Sequence, residues 1–171
     1  NILCDAYDIL LRDKIIAIFR GVTGPDADRA AEALLRGGVT LLEVTMNTED
    51  GLSLLAGWRK KFAGEARFGA GTVLDVESAE AAVAAGAQFL VSPNVDEEVI
   101  RFGREQGVEV FPGAMTPTEI VRARRAGAKA VKLFPMASLG LNYLKEVRAP
   151  LDHIPLIATG GVTLDNAADF I

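Results

Sequence analysis

Short apolar runs alternate with longer amphipathic stretches along the whole chain, and that alternation limits what it can fold into. The runs occupy residues 15–19, 41–45, 67–71, 88–92, 108–112, 130–134 and 155–159. Each is rich in β-branched or aromatic residues and bounded by glycine or proline, as buried strands are. The intervening stretches, rich in Ala, Leu, Glu and Arg, predict helices over 26–36, 49–62, 76–85, 96–106, 117–125, 139–147 and 164–170. Gly37, Gly38, Gly86, Gly107 and Gly127 stand where helices end. Pro25 and Pro117 stand in first turns. The unit recurs roughly every 20–26 residues, which is a βα repeat, and strands alternating with helices imply a parallel sheet.

Two α/β architectures fit: a closed (β/α)8 TIM barrel and an open doubly wound sheet. The steady period and the polar residues at the C-terminal ends of many strands favour the barrel. An open sheet would concentrate its site at one switch point. Residues 1–171 read as a single barrel domain with seven units, so an eighth is expected beyond Ile171. The segment before Ile15 reads as a short helix closing the barrel bottom.

Composition removes several function classes. The net charge is −5, from 18 basic and 23 acidic residues, without a long run of like charge. Nucleic acid is therefore not an expected partner. No apolar run approaches the roughly 18 residues that span a bilayer. Asn1 to Arg12 mixes apolar residues with Asp5, Asp8 and Arg12, unlike a secretory signal. Cys4 is the only cysteine, so no internal disulfide can form, which fits a cytoplasmic protein. His153 is the only histidine, so a His-rich zinc site is excluded and no metal is expected.

In such a barrel, catalytic groups come from strand C-terminal ends. Three ionisable residues stand there: Lys132 in Ala-Val-Lys-Leu-Phe-Pro, Glu43 in Leu-Leu-Glu-Val-Thr, and Arg20 after Ile-Ile-Ala-Ile-Phe. A lysine inside an apolar strand loses solvation, which favours the neutral amine, and an arginine nearby pushes the same way. A neutral amine can attack a ketone and form a Schiff base. A carboxylate across the barrel could shuttle protons. A lone strand lysine often snorkels or pairs structurally, but three charges at strand ends of one barrel favour chemistry.

Ala158-Thr-Gly-Gly-Val162 closes the seventh strand, where glycine N–H groups can converge on an anion, although a tight turn has the same composition. The small residues of Gly69-Ala-Gly-Thr-Val73 leave room in the mouth, and Thr72 and Ser92 offer hydroxyls. Thr116 with Glu119 reads as a helix capping box rather than a site. Trp58 reads as packing, His153 as surface, Cys4 as a poor nucleophile candidate, and Glu97-Glu98 as a solvated helix face.

Leu42-Glu-Val-Thr45, Gly69-Ala-Gly-Thr-Val73, Val91-Ser-Pro93, Pro112-Gly113 with Thr116-Pro-Thr-Glu119, Val131-Lys-Leu-Phe-Pro135 and Thr159-Gly-Gly161 occur in this order. The set resembles the KDPG/KHG aldolase family of class I lyases from about Ile15 to Ile171. The resemblance implies a homotrimeric, cofactor-free barrel that reversibly cleaves 2-dehydro-3-deoxy-6-phosphogluconate to pyruvate and glyceraldehyde 3-phosphate. It implies Lys132 as the Schiff-base lysine and Glu43 as general acid/base. It puts Thr72 and Thr159 at the pyruvate pocket, with Pro93 and Phe134 packed around it. Arg20 would hold the pyruvyl carboxylate or depress the lysine pKa, and Gly160 and Gly161 would bind phosphate. Asn47 departs from the pattern: gluconate-type enzymes commonly carry Arg there and galactonate-type enzymes Asn. The family's phosphate-binding serine on strand 8 is expected beyond this sequence. The phosphogalactonate epimer and 4-hydroxy-2-oxoglutarate are therefore alternative substrates. A non-catalytic phosphosugar-binding barrel is the alternative from another class.

Overall fold

A computed structural model describes residues 5–171. Asn1 to Cys4, including the expectation for Cys4, lie outside the described residues. After helix α1 (Ala6–Asp13), strands and helices alternate: β1 (Ala17–Phe19), α2 (Gly24–Arg36), β2 (Leu41–Thr45), α3 (Gly51–Lys61), β3 (Arg67–Gly71), α4 (Val76–Ala84), β4 (Phe89–Val91) and α5 (Glu97–Gln106). The chain continues through β5 (Glu109–Phe111), β6 (Gly113–Ala114), α6 (Pro117–Ala126), β7 (Val131–Leu133), α7 (Met136–Arg148) and β8 (Leu156–Ala158) to a 3-10 turn, Ala167–Phe170.

All strand pairs are parallel, in the orders β1-β2-β3-β4-β5 and β6-β7-β8. The expected single strand over 108–112 is two strands parted at Pro112. Proline has no N–H to give a ladder, yet the Pro112 carbonyl accepts from the Lys132 N–H at 2.9 Å. The first piece thus continues the β1–β5 ladder and the second starts the β6–β8 ladder. The fold is TIM-barrel-like, and among the described residues no ladder joins β8 to β1.

Strand alternation divides the side chains between two cores. Leu42 and Val44 of β2, Phe68 and Ala70 of β3 and Leu90 of β4 pack outward against the helices. There Trp58 lies edge-on to Phe19 at 4.8 Å between ring centroids, and its indole N–H donates to Asp28. Trp58 is therefore packing, as the sequence suggests. Leu41, Phe89, Val91, Phe111 and Ala130 form one inner cluster with Ala6, Ile9 and Leu10 of α1, which lies at the N-terminal ends of the strands. The Asp5 carboxylate caps α1 by accepting from the Asp8 N–H and also takes an ion pair from Lys129. This leaves the opposite, C-terminal end of the strands as the open mouth.

Three helical expectations change. The helix expected over 49–62 begins at Gly51, because Asp50 takes a left-handed conformation, φ 54°. The helix expected over 139–147 starts earlier, at Met136, and is broken at Gly140, φ 79° and ψ 164°. The helix expected over 164–170 is only a turn and a 3-10 segment. Asn166 accepts from the Thr163 N–H and donates to the Gly161 carbonyl, a local alternative to helical pairing. Thr116 and Glu119 form the expected capping box.

Candidate active site

β2 delivers Glu43 and Thr45 to the barrel interior, two residues apart on one face. β3 lies beside it, with Glu43 in register with Gly69 and Thr45 with Gly71. The glycines make this arrangement possible. A Cβ on Gly71 would lie 1.6 Å from Glu43 Oε1, so the carboxylate occupies the space that a side chain would take. β7 delivers Lys132 inward, opposite Gly113 of β6. Glu43 is 2% exposed and Lys132 5%. Arg20, immediately after β1, reaches across the mouth. Its guanidinium donates to Asn47 Oδ1 at 2.8 Å and to Thr72 Oγ at 3.2 Å. Thr72 holds φ 59°, a left-handed conformation uncommon for a threonine.

The three charges act on one another. Burial pushes the Glu43 carboxyl up to about 7, against the opposing pull of Lys132 and Arg20. Burial also drives the Lys132 ammonium down from its ordinary value; Glu43 opposes this and Arg20 adds to it. Such a site holds an amine shifted toward its nucleophilic form and a carboxyl that can gain or lose a proton near neutral pH. Lys132 Nζ also lies 4.7 Å from the centre of the Phe134 ring.

The other sequence candidates surround this group. Phe134 lies under Gly160, at 3.5 Å from where a Cβ would stand. Thr159 is bound through its backbone to both Leu133 and Met136, while its hydroxyl donates to the Ile157 carbonyl at 3.3 Å. Gly161 packs on Ala137 at the start of α7, where a Cβ would come within 2.5 Å of the alanine Cβ. Pro93 is half-buried and its carbonyl sits against Gly113. Ser92 is engaged locally, its hydroxyl donating to the Asn94 carbonyl. His153 is exposed on a loop. Among the described residues, no group of three or more His, Cys, Asp or Glu is placed to hold a metal ion.

Thr45 and Thr48, which the sequence does not single out, also stand at this candidate site. Their hydroxyls lie 2.8 Å apart, and Thr48 Oγ accepts from the Gly21 N–H at 3.0 Å. The alternation that places Glu43 inward also places Thr45 inward. Nothing local to residue 48 marks its contact with the loop after β1.

A family model described as KDPG and KHG aldolase matches residues 7–171. The chain belongs to this aldolase family. It is 37% identical over 158 residues to the 2-dehydro-3-deoxy-6-phosphogalactonate aldolase of Escherichia coli K12, covering 92% of this chain and 77% of that protein. It is equally 37% identical over 166 residues to the 2-dehydro-3-deoxy-phosphogluconate aldolase of Treponema pallidum, covering 96% and 79%. Among solved structures, it superposes with TM-score 0.84 and 29% identity on the KDPG aldolase of Legionella pneumophila, covering 91% of this chain and 75% of that one. That structure holds pyruvate captured at low pH as a covalent carbinolamine.

Proposed function

We propose that this aldolase-family lyase cleaves 2-dehydro-3-deoxy-6-phosphogluconate reversibly through a Schiff base on Lys132. The observation that carries the reading is the buried Lys132 amine, held below its ordinary pKa by burial and by the charge of Arg20, with the buried Glu43 carboxyl acting in the opposite direction. The neutral amine adds to the C2 ketone to give a carbinolamine, and loss of water gives the iminium ion. The C4 hydroxyl yields its proton to Glu43, directly or through water. The C3–C4 bond breaks, its electrons flow into the iminium to give an enamine, and the aldehyde leaves. Protonation at C3 from Glu43 and addition of water then release pyruvate and restore the amine.

Arg20 is assigned to the pyruvyl carboxylate and Thr72 to holding that arginine, as their hydrogen bond supports. Thr159 borders the pyruvate pocket, and Phe134 and Pro93 pack around it. Gly160 and Gly161 are assigned to the phosphate. We assign a homotrimer working in the cytoplasm, with the family resemblance as the argument for the assembly; sedimentation analysis tests it. Among the described residues no helix is long and apolar enough to cross a membrane.

Pyruvate release coupled to lactate dehydrogenase tests the activity. The wild type should turn over and Lys132→Ala should not; turnover of that variant near the wild-type rate contradicts the mechanism. Asn47 supports a second reading of the substrate, because it stands on Arg20 at the mouth. The ratio of kcat/KM for the phosphogluconate, phosphogalactonate and 4-hydroxy-2-oxoglutarate substrates decides it. Asn47→Arg is expected to change the ratio between the two epimers, and an unchanged ratio removes Asn47 from substrate choice.

A further inference from the structure

We infer that Thr48 is a positioning residue, whose hydroxyl fixes the loop after β1 that carries Arg20 and so sets where its guanidinium stands at the mouth. The inference rests on the function proposed above, in which Arg20 meets the substrate carboxylate.

Arg20 is held at both ends by different residues. Its guanidinium is held by Asn47 and Thr72. Its main chain is held one residue later, where the Gly21 N–H donates to Thr48 Oγ at 3.0 Å. Gly21 has φ 68°, so the chain turns sharply there and the loop direction depends on this anchor. Thr48 is 5% exposed although it stands in the loop between β2 and α3. Its position is itself fixed. The Thr48 N–H donates to the Thr45 carbonyl, the Thr48 carbonyl accepts from the Gly51 N–H, and the two threonine hydroxyls share a hydrogen bond. Thr45, fully buried, lies one strand repeat beyond Glu43 on the same inward face. A continuous path therefore runs from the strand carrying the carboxylate, through two buried hydroxyls, to the backbone carrying the arginine. Placement of a binding cation by buried partners of this kind governs how much of its binding energy reaches the substrate.

The test compares Thr48→Val, which keeps the branched shape without the hydroxyl, with Thr48→Ser, which keeps the hydroxyl. Both are measured with the phosphogluconate substrate in the wild-type and Arg20→Ala backgrounds. Loss of the hydrogen bond that holds the backbone beside Arg20 is expected to raise KM about three- to tenfold in Thr48→Val, with kcat within about twofold. Thr48→Ser should stay within about twofold of wild type in both constants. On Arg20→Ala, Thr48→Val should add less than about twofold, since its effect passes through the arginine. A purely structural threonine would lower the melting temperature without moving KM. If Thr48→Val folds poorly, Thr48→Ala should show the same KM increase.

An active wild type with an unchanged KM in the Thr48 variants overturns this inference alone. So does an effect that adds in full to that of Arg20→Ala. A folded wild type that releases no pyruvate overturns it together with the proposed function.

Discussion

Replacing Gly71 by alanine adds one methyl group where the Glu43 carboxylate already lies. The new Cβ would stand 1.6 Å from Oε1, 2.4 Å from Cδ and 2.8 Å from Cγ of that glutamate. Ordinary contact between such atoms begins at about 3.5 Å, so the carboxylate must move by about 2 Å. A shift at the tip alone does not relieve the clash with Cγ, so the whole side chain must turn. Overpacking of this size costs about 1–3 kcal/mol of stability. The catalytic cost should be larger than the stability cost suggests. A reacting group misplaced by about 1 Å loses about 100-fold in rate, and a general acid/base contributes about 100- to 10,000-fold. Gly71→Ala is therefore expected to fold, to melt a few degrees lower, and to lose at least about 100-fold in kcat. Coupled pyruvate release at saturating substrate, alongside a thermal melt, measures both. A folded Gly71→Ala protein with kcat within threefold of wild type would refute the assignment of Glu43 to the proton transfers.

Two further outcomes follow from the same geometry. Glu43 binds its proton more tightly in the folded state, with a pKa of about 7 against an ordinary 4.5. Its contribution to stability therefore falls as pH rises from about 4.5 through 7 and is level above. Glu43→Gln removes that loss, so its stability relative to wild type should improve by about 2–3 kcal/mol between pH 5 and pH 8 in urea unfolding; a gap that does not change with pH rules out the raised carboxyl. Gly161 has φ 73° and no room for a Cβ beside Ala137, so Gly161→Ala must displace the loop assigned to phosphate. KM should rise about tenfold for the phosphorylated substrate and stay within about twofold for 4-hydroxy-2-oxoglutarate. Equal effects on both substrates would separate this loop from phosphate.

The strands carried the most readable information. β2 is buried on both faces, so its apolar residues mark it as interior, and Glu43 then stands out as a charge without solvent. The same logic exposes Lys132 in β7. Glycine spacing was half-readable: the pair at Gly69 and Gly71 signals room, but only the register shows who fills it, Phe89 at the lower layer and Glu43 at the upper. Pro112 could be seen in the sequence, whereas its position as the join between two ladders depends on neighbours far along the chain. The last predicted helix failed because Asn166 satisfies local backbone groups in a turn, a competition that periodicity does not register. Thr48 was invisible for a related reason. Its partner, Gly21, is distant in sequence, and a threonine after a strand has no pattern that distinguishes an anchor from an ordinary loop residue.

Everything proposed for this site depends on Lys132 forming the covalent bond to the substrate. Borohydride reduction of the folded protein in the presence of pyruvate, followed by peptide mass mapping, tests it most directly. One reduced pyruvyl adduct is expected, on the peptide containing Lys132, and none in Lys132→Ala. No adduct on folded protein, or an adduct on a surface lysine such as Lys129 in place of Lys132, would contradict it.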